Sequence, residues 1–243
     1  MQGICFTEDL FHATIEGRKT QARRIIKTDG NIAEFPLNDG GSLYDRNTGY
    51  FIKYLNPRYK VGETLYIKEP IRLNISEKTL HLKYSDVTIP IELPTNFLLV
   101  ERFMKLQNRS KTGYYPKMCI PKWIPKDIFR KIEITGVRCE RLQDISDSDI
   151  LNEGIIKYFH IKEKVHKYGW NIGEDVFAKY TPREAYAALI DSINSKGTWD
   201  SNPYVWVYDY RLVNKSFDEI LEDNKEILKR LKNNLKTNHY EFN

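Results

Sequence analysis

With 243 residues, 41% of them hydrophobic and 29% charged, the chain can bury about three quarters of the surface it exposes when unfolded, so neither disulfides nor a metal is needed for it to fold. A net charge of +5 permits an anionic partner without demanding one. No run of about 18 apolar residues and no basic leader into an apolar stretch occurs, which excludes the usual membrane-spanning and secreted patterns and predicts a soluble, cytoplasmic protein.

Cys5, Cys119 and Cys139 are an odd set without metal-like spacing, so reduced, mostly buried thiols are expected. His12, His81, His160, His166 and His239 form no zinc-binding pattern. No metal and no other cofactor is expected.

In chain order, Ile4 to Phe6 predicts a short strand. Thr7 then caps a helix with Glu8 and Asp9 in its first turn, Leu10, Phe11 and Ile15 on its inner face and Gly17 at its end. Arg18 to Arg24 leaves that helix and enters an extended segment. Residues 28–60 predict a loop-rich arm containing one strand near Tyr50 to Tyr54. Val61 to Glu69 reads as a turn into a strand, and Leu80 to Tyr84 with Val87 to Ile89 as a hairpin around Ser85-Asp86. Phe129 to Leu142 predicts a long strand with a bulge at Gly136. Ser146 caps a short helix closed by Gly154, and Thr181-Pro182-Arg183-Glu184 carries a capping box for a helix whose apolar face is Ala185, Ala188, Leu189 and Ile193. Tyr204 to Val213 is the last strand. Residues 214–243 predict an amphipathic helix, with six cations and six acids, that packs on the body of the fold or forms a homodimer contact. The fold class is therefore α+β, a mixed β-barrel with flanking helices, an irregular insertion and that C-terminal helix, with loop-rich insertions near 28–60 and 71–114 of a 1–213 domain.

Charge is unevenly spread. Arg18 to Lys27 holds five cations and no acid, and Arg102 to Lys131 holds nine cations against Asp127 alone, interleaved with Tyr114, Tyr115 and Trp123. Cations beside aromatic rings suit single-stranded nucleic acid or a nucleotide, and equally a solvated basic face.

Gly17-Arg18-Lys19-Thr20-Gln21-Ala22-Arg23-Arg24 resembles the G-R-K-T-x-T-x-R signature of ASCH domains. The resemblance continues through Val61 to Glu69, Pro121-Lys122-Trp123, Ile132 to Ser146, Glu153-Gly154-Ile155 and Trp199 to Val207. It is nearest to the larger ASCH proteins encoded by phages and prophages. It implies a PUA-like barrel with a cleft for a modified nucleoside or single-stranded nucleic acid, in the host cytoplasm if phage-encoded. Small bacterial members remove the acetyl group from N4-acetylcytidine with a lysine, a threonine and a glutamate. These fall on Lys19, Ala22 and Glu153, so the catalytic threonine is missing and a weakened or inactive hydrolase is implied. A non-catalytic RNA-binding module and a ribonuclease are the alternatives.

Amide hydrolysis needs an activated oxygen nucleophile, a proton acceptor and stabilisation of the tetrahedral intermediate. A buried lysine of lowered pKa can be that acceptor, with a carboxylate holding it. Without that chemistry, Lys19 would contact phosphate and Glu153 would pair with Lys19 or Arg24. The candidate substrate-binding residues are Arg18, Arg24, Lys68, Glu69, Trp199, Asp200 and Asn202: cations for phosphate, an indole for stacking, and Asp or Asn for a base edge. Trp206, in mid-strand, is expected in the core.

Overall fold

The computed structural model describes residues 1–26, 56–160, 163–170 and 178–213, together with the backbone of strands at 32–33, 42–45 and 51–54. In chain order the elements are β1 (Gln2–Cys5), α1 (Glu8–Ile15), β2 (Gln21–Ile25), β3 (Ile32–Ala33), β4 (Ser42–Asp45), β5 (Phe51–Tyr54) and β6 (Thr64–Lys68). There follow β7 (Ile71–Asn74), β8 (Thr79–Leu82), β9 (Val87–Pro90), α2 (Phe97–Arg109), β10 (Lys131–Arg141) and α3 (Asp147–Asn152). The last are β11 (Ile156–His160), β12 (Val165–Gly169), α4 (Pro182–Ile193) and β13 (Tyr204–Leu212). This is an α+β protein with several sheets, and among the described residues none closes into a barrel. The helix expected over 214–243 lies outside the described residues. Among the described residues no helix is long and apolar enough to cross a membrane. Among the described residues Cys5 and Cys139 form no disulfide, and both are half-buried rather than buried.

Two compact units interleave along the chain. Among the described residues the first comprises Met1–Cys5, Leu65–Ile132 and Val213, and the second draws on Phe6–Thr64 and Glu133–Leu212. In the first, β1 runs parallel to β6, from Gln2 opposite Leu65 to Cys5 opposite Lys68. β7, β8 and β9 form an antiparallel meander around the expected Ser85-Asp86 turn. Its period-2 pattern buries Ile71, Leu73, Leu80, Leu82 and Ile89 and leaves Arg72, His81 and Thr88 in register on the other face. Helix α2, which the sequence does not predict, adds Val100 and Phe103 to that core. The buried Gln107 amide donates to Leu73 O at 3.2 Å and accepts from Leu73 N at 2.8 Å, matching both backbone groups of the strand residue.

In the second unit, β2 pairs antiparallel with β13, Gln21 opposite Asp209 and Ala22 opposite Tyr208, and β10 flanks β13 on its other side. Glu133 and Arg138 have opposite parity on β10, yet they reach Arg211 and Asp209, which share a face of β13. The alternation therefore slips by one residue between them, in the stretch where the sequence predicts a bulge at Gly136. Gly136 also admits Asp209: a Cβ there would lie 2.7 Å from Asp209 Oδ2. The arm over 28–60 contains a three-stranded antiparallel sheet, β3-β4-β5, rather than one strand.

The helices of this unit follow their caps with two corrections. Thr7 precedes α1 in extended conformation, but its hydroxyl accepts no capping hydrogen bond, and Ala13 and Thr14 join Leu10 and Phe11 in the interior while Ile15 is half-buried. Both arms of the Thr181–Glu184 capping box are made, at 3.2 Å each. The buried face of α4 is Ala185, Tyr186, Leu189 and Ile190, and Ile193 is 45% exposed. Positions i, i+1, i+4 and i+5 form one continuous stripe, and the large Tyr186 ring turns that stripe inward in place of Ala188 and Ile193.

Candidate functional site

Two glycines in left-handed conformation bring distant segments together. Gly17 (φ +75°) ends α1 and Gly154 (φ +99°) follows α3. Lys19 N then donates to Ala13 O at 2.9 Å and Thr20 N to Asn152 O at 2.8 Å, so that Lys19 and Glu153 form an isolated antiparallel bridge. A Cβ on Gly154 would sit 3.2 Å from Leu10 Cδ2 and 3.5 Å from Lys19 Cβ.

The side chains continue what the backbone begins. Lys19 Nζ donates to Gln21 O at 2.7 Å, Glu153 O at 2.9 Å and Glu153 Oε2 at 2.5 Å. Three acceptors match the three hydrogens of an ammonium, and the side chains of Lys19 and Glu153 are only 2% and 6% exposed. The other Glu153 oxygen accepts from Arg23 Nη1 at 3.0 Å. Arg23 also donates to Glu140 at 2.6 Å and to Gln21 Oε1 at 2.5 Å. Gln21 Nε2 donates to Asp209 at 2.6 Å, and Arg138 links Asp209, Asp149 and Glu140 at 2.7, 3.1 and 3.0 Å. The network runs from the buried Lys19 to the 38% exposed Arg138. Lys19, Arg23 and Arg138 face Glu140, Asp149, Glu153 and Asp209, three cations against four acids.

Strand alternation sends Gln21 and Arg23 into that network and Ala22 and Arg24 to the opposite face of β2. Ala22 is fully buried. The Phe6 ring lies 5.6 Å from Lys19 Nζ, 5.7 Å from the Arg24 guanidinium and 6.0 Å from the Tyr210 ring. The Tyr210 hydroxyl bonds Thr14 Oγ1 at 3.0 Å. The Tyr186 hydroxyl, fully buried, lies beside Arg23 without closing a hydrogen bond of good geometry, and it has no partner among the described residues.

Burial pushes the Lys19 pKa below its ordinary 10.5, while Glu153 pulls it back up and Arg24 and Arg23 depress it further. Burial would also lower Arg23, but Glu153 and Glu140 hold it above its ordinary value. Burial raises the Tyr186 and Tyr210 phenols well above theirs. The site is thus a desolvated ion cluster beside an aromatic wall. Among the described residues no group of three or more His, Cys, Asp or Glu could hold a metal ion.

The other candidates are placed differently. Arg18 pairs with Glu16 at the α1 exit, and its buried Nη1 has no hydrogen-bond partner among the described residues. Lys68 and Glu69 belong to the first unit. Glu69 is fully buried and accepts from Tyr84 N, Ser85 N and Ser85 Oγ at 2.7, 2.8 and 2.7 Å, fixing the β8–β9 turn. Burial still raises its pKa. Trp199 meets the Tyr186 ring edge-on at 6.0 Å, and its backbone N–H is held by Asp191 at 2.9 Å. Asp200 is exposed. Asn202, at φ +43°, accepts from Gln143 N at 2.8 Å, a turn-forming role. Trp206 is in the core, 8% exposed.

Sequence reasoning missed Gln21, Glu140, Asp149, Asp209, Tyr186 and the role of Arg23. The period-2 pattern of β2 could have shown that Gln21 and Arg23 share a side. No family model, curated protein or solved structure matches this chain.

Proposed function

We propose that the second unit recognises a modified nucleoside, in a site of the N-acylcytidine amidohydrolase type whose nucleophile-positioning threonine is replaced by Ala22. The fold underlying it would be an ASCH/PUA-like barrel. The observation that carries this reading is the buried Lys19–Glu153 pair: residues 134 apart in sequence meet through Nζ and Oε2, and the pKa of the lysine is depressed. In the reaction, water adds to the acyl carbon, the amine of cytosine leaves with a proton, and the acid is released. Lys19 in its neutral form would accept the proton of the attacking water, with Glu153 orienting it.

One observation favours the second reading, a non-catalytic nucleic-acid-binding module. Lys19 already has three acceptors and is 2% exposed, which holds it as a charged structural element. Ala22→Thr separates the two readings. Adding a hydroxyl and a methyl to the Cβ of residue 22 should raise N4-acetylcytidine hydrolysis at least about 10²-fold, the lower end of what a positioned catalytic group contributes. Adding Lys19→Ala should abolish the gain. Mass spectrometry of the nucleoside products reads both. A folded threonine variant that binds N4-acetylcytidine yet releases no acetate sinks the hydrolase and leaves the binding module.

A further inference from the structure

The first unit holds a groove of about 480 Å³ along α2, lined by none of the residues of the Lys19–Glu153 cluster. Helix α2 carries two apolar stripes. Val100, Phe103 and Gln107 are buried against the β7-β8-β9 sheet, while Leu99, Phe103 and Leu106, spaced i, i+4 and i+7, line the groove with Tyr115 and Trp123. Phe103 stacks on Tyr115 (4.2 Å, 6°) and meets Trp123 edge-on at 5.7 Å, so the aromatic floor is fixed. Leu99 and Leu106 are 43% and 39% exposed, and Phe97 and Leu98 at the start of α2 are 70% and 71% exposed. One helix therefore presents a contiguous apolar surface of the kind that marks an interaction site.

Its charge is one-sided. Arg102 and Lys122 line the groove and are exposed, and neither has an ion-pair partner among the described residues. Nine cations against one acid populate residues 102–131. We propose that this groove docks an acidic amphipathic helix of a partner protein. Apolar side chains on one face of that helix fill the space beside Leu99, Leu106 and Trp123, and its flanking carboxylates pair with Arg102 and Lys122. A nucleic acid fits less well. Phe103 and Tyr115 are 2% and 6% exposed and already stacked on each other, which leaves them unavailable to bases, and aliphatic Leu99, Leu106 and Leu98 would face sugar and phosphate.

The test is fluorescence anisotropy of the full chain with labelled, end-blocked helical peptides of about 16 residues. One set carries Glu and Asp flanking Leu, Phe or Trp anchors at i, i+4 and i+7; a second has every acid changed to lysine; a single-stranded RNA of similar length is the third probe. At least one acidic peptide should bind with a micromolar Kd, the lysine set at least about tenfold more weakly, and the affinity should fall with salt. Leu106→Glu, and Arg102→Glu with Lys122→Glu, should each weaken the acidic peptide at least about tenfold, and the lysine peptide should regain affinity for the double variant. These side chains are exposed, and circular dichroism verifies that each variant is folded. Failure of every acidic peptide to bind, equal binding to wild type and Leu106→Glu, or loss of RNA binding alone in these variants would overturn the proposal.

Discussion

A buried ammonium with three acceptors is stable only while every acceptor stays in place. Lys19→Met leaves Glu153 inside the protein with Arg23 as its remaining cation, and removing one partner of a buried pair costs about 3–5 kcal/mol. Because Arg23 still neutralises Glu153, the loss should be near about 3 kcal/mol, read from urea denaturation. Lys19→Met combined with Glu153→Leu should recover part of it, since an apolar pair of similar volume leaves no unpaired charge. The pH dependence has a definite sign. The folded-state pKa of Lys19 lies below the ordinary 10.5, so between those two values the unfolded chain binds more protons than the native one, and wild type should gain stability relative to Lys19→Met as pH rises through that window.

Elements show where sequence suffices and where it does not. Ser146, Thr181, Gly17 and Gly154 mark helix ends through chemistry confined to a few residues, and each marks one in the fold. Helix α2, absent from the sequence expectations, nonetheless carries a legible signal: Asn96 caps it, and Leu99, Val100, Phe103, Met104 and Leu106 recur at helical spacing. Lys19 and Glu153 stood out through their flanking motifs, whereas Arg23 and Arg24 read as one cationic run; only pairing with β13 decides that one enters the ion network and the other lies by Phe6. Gly136 was predicted for its backbone, but its missing side chain matters as much. Gln21 and Arg138 pin Asp209 at 2.6 and 2.7 Å, so its carboxylate cannot yield cheaply to a Cβ that would stand 2.7 Å away. Gly136→Ala should destabilise by about 1–3 kcal/mol, as overpacking does. Asp209→Gly is destabilising by itself because Gln21 and Arg138 lose their acceptor, but in thermal melts within that background the added cost of Gly136→Ala should shrink, since the space is open.

At the scale of the molecule, the first unit is assembled from pieces that the chain supplies far apart. Residues 2–5 provide the parallel neighbour of β6, and about sixty residues of the second unit intervene. A parallel pair cannot be closed by a local turn, and its partner strand is irreplaceable by anything nearby in sequence. Ile67 N donates to Arg130 O at 2.8 Å, away from β1, so alternation turns the Tyr66 and Lys68 amides toward β1. Deleting residues 1–5 should therefore cost those two at least about tenfold in amide protection by hydrogen exchange. Undiminished protection there would mean that β6 does not depend on β1.

The pairing of β2 with β13 joins residue 21 to residue 209, a separation of 188, and this has a consequence for synthesis. At a ribosomal rate of about 5–20 residues per second, roughly 10–40 s pass between the emergence of Gln21 and that of its partner strand. During that interval Ala22 and Ile25 have no ladder, and a bare hydrophobic strand would invite pairing with a neighbouring nascent chain. The sequence Gln21-Ala22-Arg23-Arg24-Ile25 carries two guanidinium groups through the wait, and charge on an unpaired strand deters edge-to-edge association. The same Arg23 that later neutralises Glu153 thus serves first as a solubilising group, and it becomes an internal ion only once Glu140, Asp149 and Glu153 have been made.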